Sequence, residues 1–124
     1  MSESDIQIGF DKQPADLEGF LEEQGYFLDD DDDTLQSYEH SAGRGPTIYY
    51  YSGIVKLSDV DEESGCLDWG KSGYKVVSEL DITFFPSNSD ETDEAVRLSR
   101  EIVRRLDGIL YDSYLDEFFR KDAL

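Results

Sequence analysis

One cysteine, one histidine, one tryptophan and only five lysines occur in 124 residues. Cys66 alone can neither close an internal disulfide nor build a cysteine cluster for zinc or iron–sulfur. His40 leaves imidazole chemistry a single position. No apolar run approaches the ~18 residues that a membrane-spanning helix requires. The first residues, Met1-Ser2-Glu3-Ser4-Asp5, are acidic and polar, without the basic start and apolar middle of a secretory signal. A cytoplasmic protein without metal or cofactor is the expectation. Basic residues are scarce too, 11 Lys and Arg in all. Nucleic acid and anionic membranes are bound through basic footprints, so neither is expected as a partner.

Aspartate is what the chain has in excess. It supplies 18 of the 30 acids, and the net charge is −19. Self-repulsion of this size keeps a protein soluble and opposes its compact state. Two explanations compete. One is adaptation to a very salty cytoplasm, where the screening length falls to ~3 Å at molar salt. The other is function: an acidic inhibitor, an immunity-type protein or a nucleic-acid mimic docking on a basic partner. Size scaling gives a folded surface of roughly 6,800 Å², or about 360 Å² per net charge. Duplex DNA carries one charge per roughly 110 Å² of its surface. A mimic would gather its acids on one face, whereas here they occur in nearly every segment. Salt adaptation is favoured. Abundant Asp with few Lys resembles the composition of proteins from extremely halophilic archaea.

At 14.2 kDa the chain suits one domain, residues 1–124, and its 38% hydrophobic content supports a packed core. Ile6, Ile8 and Phe10 alternate as a strand does. Pro14 and then Leu17, Phe20 and Leu21 suggest a helix ended by Gly25, with Gly19 costing it about 1 kcal/mol relative to Ala. The five aspartates at 29–33 read as an exposed loop, and Leu35 with Tyr38 as a short strand or turn beyond it. Residues 47–57 read as a strand bulged at Gly53, and 58–73 as a second polar loop. The clearest strand places Tyr74, Val76, Leu80, Ile82 and Phe84 on one face and ends at Pro86.

Ala95, Leu98, Ser99, Ile102, Val103 and Leu106 form a helical stripe, with Arg97–Glu101 and Glu101–Arg105 pairs outside it and Gly108 as its stop. Ile109, Leu110 and Tyr111 make a strand. Asp112 or Ser113 then caps a last helix with Leu115, Phe118 and Phe119. This order predicts an α+β fold of the ferredoxin-like, split βαβ kind: an antiparallel sheet, two main helices on one face and a short C-terminal helix.

Motifs that carry chemistry are poor. Residues 29–33 lack the spacing that converges carboxylates on an ion, and Asp59, Asp61, Glu62 and Gly65 make only half a calcium loop. His40 with Cys66 or a serine lacks a nucleophile elbow or helix start. Gly70-Lys71-Ser72-Gly73 precedes a strand, so the helix N-terminus of a phosphate site is missing. The binding candidates are aromatic. Tyr49 and Tyr51 share one face of a strand while Tyr50 takes the other, and Trp69 lies in the following loop. The sequence therefore points to a non-catalytic domain that binds a protein partner or dimerises through Tyr49, Tyr51 and Trp69. No residue is assigned to catalysis, cofactor or metal.

Overall fold

The computed structural model describes residues 3–53 and 69–124. Cys66, the half calcium loop from Asp59 to Gly65, and the strand extension carrying Ile54 and Val55 lie outside them. The chain runs β1 (Ser4–Phe10), α1 (Leu17–Glu23), β2 (Tyr26–Asp31), β3 (Leu35–His40), β4 (Thr47–Tyr51), β5 (Ser78–Phe84), α2 (Ser89–Leu106), β6 (Ile109–Asp112) and β7 (Glu117–Phe119). Single 3-10 turns stand at Trp69–Ser72 and Lys121–Ala123. The described residues form an α+β fold: one seven-stranded antiparallel sheet, order β2-β3-β4-β5-β1-β6-β7, with two α-helices.

The order differs from a simple four-strand split βαβ sheet. The β2–β3 hairpin enters between α1 and β4 and widens one edge, and β7 adds a strand at the other. Residues 29–31 belong to β2 and pair with β3 across a bulge between Leu28 and Asp30. They are nonetheless exposed. β2 is an edge strand, and a row of carboxylates there prevents a further chain from adding to the sheet. The acidic run was legible as surface, but not as strand.

The C-terminal expectation also changes. Asp112 does cap, because its Oδ1 accepts from the Tyr114 and Leu115 amides at 2.9 and 3.1 Å. Asp116 then takes a left-handed conformation, φ 51°, and turns the chain into β7 instead of a helix. Tyr111 pairs with Phe118 and Leu110 with Phe119, so the two phenylalanines go to opposite faces of the sheet. The short C-terminal helix is a β-strand followed by a 3-10 turn.

Both helices close over one face. Period-two alternation puts Ile8, Phe10, Tyr38, Ile48, Tyr50, Leu80, Ile82 and Phe84 on that side, where they meet Leu17, Phe20 and Leu21 of α1 and Ala95, Leu98, Ile102 and Val103 of α2. α1 begins at Asp16, whose carboxylate accepts from the Gly19 amide at 3.2 Å. A Cβ at residue 19 would stand 2.3 Å from that carboxylate, so this glycine makes room for the cap. α2 begins at Asn88, accepting from the Glu91 amide at 3.2 Å, and ends at left-handed Asp107. Its exposed pairs are Arg97–Glu94 and Arg104–Glu101, three residues apart rather than four, while Arg105 reaches Glu23 of α1. None of the described helices is long and apolar enough to cross a membrane.

Burial raises the Tyr26 and Tyr38 phenols above their ordinary 10, Tyr38 to about 12. The folded state keeps these protons while the unfolded chain releases them from pH 10 upward. Stability is therefore expected to be fully present below pH 10 and lost as pH rises through 12. Urea melts at stepped alkaline pH, with phenolate absorbance followed alongside, check this; a stability flat across that window contradicts it.

Candidate binding face

Among the described residues no α-helix covers the other face of the sheet, and its floor can be read from the strand register. Asp5, Gln7 and Gly9 of β1 lie across from Thr83, Asp81 and Glu79 of β5. Those in turn lie across from Thr47, Tyr49 and Tyr51 of β4. Ser37 and Leu35 of β3 complete the row beside Tyr49 and Tyr51. Because Ile48 and Tyr50 point to the helices, Tyr49 and Tyr51 must point away from them. Both are half-buried. Burial raises the Tyr51 phenol, and the carboxylates of Asp81, Glu79 and Asp5 raise it further. The face joins phenols to a negative potential.

One end of this face is closed by Trp69. Its indole is 4% exposed, and its Nε1 donates to Glu79 Oε1. The ring rests on Gly9: a Cβ there would stand 2.9 Å from the indole and 2.9 Å from Val76 Cγ1. Phe118 packs against the same indole at 5.6 Å between centroids, and Tyr111 against Phe118 at 5.0 Å. Ile109, fully buried, pairs with Gly9 from β6. These residues form a second, smaller core on the helix-free side. Trp69 is thus engaged within the chain, and its hydrogen bond ties it to Glu79, the cross-strand neighbour of Tyr51.

Arg120 fastens the surrounding loops. It pairs with Asp11 at 3.0 Å and Asp107 at 3.1 Å, and its guanidinium lies 4.9 Å over the Tyr74 ring. The hydrogen bond it donates to Asp11 leads the effects that hold its proton more tightly than usual. Ser72 Oγ donates to the Trp69 carbonyl at 2.6 Å and accepts from the Tyr74 amide at 3.1 Å, which closes the 3-10 turn; Tyr74 and Val76, expected to open the strand, precede β5, which begins at Ser78.

His40 serves the helix-side packing. It meets Tyr26 edge-on at 5.1 Å, and its Nδ1 accepts from the Ala42 amide at 3.1 Å. The cleft beside it, about 450 Å³, includes Glu91 and Glu94 in its wall. Glu91 accepts from the Phe85 amide and Glu94 pairs with Arg97, so both are occupied structurally. Among the described residues no group of three or more His, Cys, Asp or Glu side chains is arranged to hold a metal ion.

The seat of Trp69 was hidden in the sequence. Gly9 sits inside a strand pattern, and a strand glycine does signal close approach of another group. Nothing local named Trp69, 60 positions later, as that group. Gly9→Ala is expected to cost about 1–3 kcal/mol by overpacking and to red-shift the emission of the sole tryptophan as the indole is lifted toward water. Equilibrium unfolding and fluorescence measure both; wild-type values for each would show that the indole is not seated on residue 9.

Comparison with protein-family models, with curated proteins and with solved structures finds no match to this chain.

Proposed function

We propose that this chain is a single, non-catalytic domain of a salt-rich cytoplasm, and that a cationic protein segment docks on its helix-free sheet face around Tyr49 and Tyr51. The observation that carries the reading is the cross-strand placement of the two tyrosines beside carboxylates, Tyr49 against Asp81 and Tyr51 against Glu79. Guanidinium and ammonium groups are attracted to the faces of aromatic rings and to carboxylates alike. Tyrosine adds large contact area with a polar tip, which suits a surface that is wet when free and buried when bound. Trp69, assigned to the same role from the sequence, contributes by holding the Glu79 carboxylate beside Tyr51.

Other features support the non-catalytic part. His40, Glu91, Glu94, Asp112 and Arg120 are each engaged in a cap, a turn, an ion pair or core packing. We further infer that β4-β5-β1-β6 with α1 and α2 is a split βαβ unit widened by its extra edge strands. The central strand order supports that reading.

Charge distribution supports the salt-rich setting. The accessible surface is 7651 Å², which is about 400 Å² per net charge and far more dilute than duplex DNA. Carboxylates occupy the sheet edge, the helix starts and the hairpin turns.

Two measurements test the proposal. Thermal melts in KCl from ~0.05 to ~3 M are expected to show stability rising steeply and still rising above ~1 M as repulsion is screened. A cooperative fold already at full stability at ~0.05 M would favour the acidic-inhibitor reading instead. An oligo-arginine peptide is expected to bind, and Tyr49→Ser with Tyr51→Ser to weaken it at least about tenfold with the melt unchanged. Equal affinity in the double variant removes the face from the proposal.

A further inference from the structure

Six large apolar side chains are exposed among the described residues: Phe27, Tyr74, Val96, Tyr114, Leu115 and Leu124. Four of them belong to one corner. Val96 and Leu124 line a groove of about 320 Å³ between α2 and the β6–β7 hairpin, together with Ile6, Leu110 and Phe119. Tyr114 and Leu115 stand in the turn that continues the groove wall from Asp112 and Ser113. Tyr114 is 95% exposed.

This turn is firmly built. Asp112 Oδ1 holds the Tyr114 and Leu115 amides, and the Tyr111 hydroxyl donates to Asp116 Oδ1 at 2.9 Å. A tyrosine projected into water from a turn fixed by three hydrogen bonds is a preorganised anchor, since little further ordering is needed when it is buried. The groove next to it is an apolar hole of the kind such an anchor fills.

Charge divides the corner in the same way. Arg97, Arg100 and Arg104 form a column along α2, at spacings of three and four residues. Arg100 has Val96, Arg97, Val103 and Arg104 as its helical neighbours, so the helix offers it no acid. Among the described residues it takes part in none of the ion pairs that engage the other arginines of α2. The hairpin side carries Asp112 and Asp116. A single patch therefore holds a knob and a hole, a cationic rim and an anionic one.

We propose that this corner is a two-fold interface for a second copy of the chain. Tyr114 and Leu115 of each copy enter the groove of the other, and each arginine column faces the other copy's Asp112 and Asp116. Two-fold contacts require a patch that complements itself, which an unrelated partner would not. Two chains of −19 repel at low ionic strength. Salt screens that repulsion, so the dimer is favoured as salt rises. A cationic segment on the helix-free face has the opposite salt dependence, which keeps the two sites separable.

Sedimentation equilibrium of the full chain in ~0.1 M and ~2 M KCl tests this. The expected result is a reversible monomer–dimer equilibrium that tightens with salt. Tyr114→Ala, a change at a solvated side chain, is expected to weaken it at least about tenfold with the thermal melt unchanged. Arg100→Glu is expected to act in the same direction, and Tyr49→Ser with Tyr51→Ser to leave dimerisation as it was. A monomer in both salts up to ~1 mM overturns the proposal. So does a dimer indifferent to Tyr114→Ala, or one lost in the Tyr49/Tyr51 double variant, which would move the contact to the helix-free face.

Discussion

β1 is the strand on which both sides of this protein are built. It lies inside the sheet between β5 and β6, and three successive residues divide its labour. Ile8 and Phe10 point to the helices and are 0% and 1% exposed, forming part of the floor of the main core. Gly9 points the other way and presents bare backbone on which Trp69 lies. Strand geometry allows no other assignment, because successive side chains alternate between faces. Gly108 repeats the logic on the helix side: a Cβ there would stand 2.6 Å from Ile8 Cγ2. Close approach at two glycines lets a short chain pack both faces of one sheet.

The electrostatics follow from where the acids are tolerated. A carboxylate at a helix start meets unpaired amides and the positive end of the helix dipole, and Asp16 with Asp90 and Glu91 occupy such places. At the β2 edge, acids keep the sheet from growing; in the β6–β7 turn they satisfy backbone amides. Much of the negative charge thus does local structural work while adding to a global repulsion. Surface pairs such as Arg105–Glu23 offset little of that, since exposed ion pairs contribute about 0–1 kcal/mol. The two cores, with 18 buried apolar residues together among those described, oppose the repulsion.

The two surfaces put forward for binding differ in kind. The helix-free face is phenolic and negative, and is closed at one end by a tryptophan cluster. The hairpin corner is apolar, with opposite charges on its two rims. The first is built on β3, β4, β5 and β1 and the second on β6–β7 with α2, and Asp5 of β1 borders both.

Sequence by itself determined the α+β class, the antiparallel sheet and both helices, because these depend on local periodicity. The stripe from Ala95 to Val103 is buried as its spacing of three and four required. The alternation of β5 from Ser78 to Phe84 is buried at every second residue. It also placed Tyr49 and Tyr51 together and opposite Tyr50, since that follows from strand geometry alone. What it left open were choices among locally equivalent conformations. Residues 29–31 became strand only because β3 was there to pair with them, and Phe118 and Phe119 became strand because Asp116 turned the chain back onto β6. The burial of Trp69 was decided by tertiary structure as well. An aromatic in a polar loop fits a partner's surface or its own sheet equally well in local terms. Only the bare backbone at Gly9, brought beneath it by the order of the strands, turns it inward.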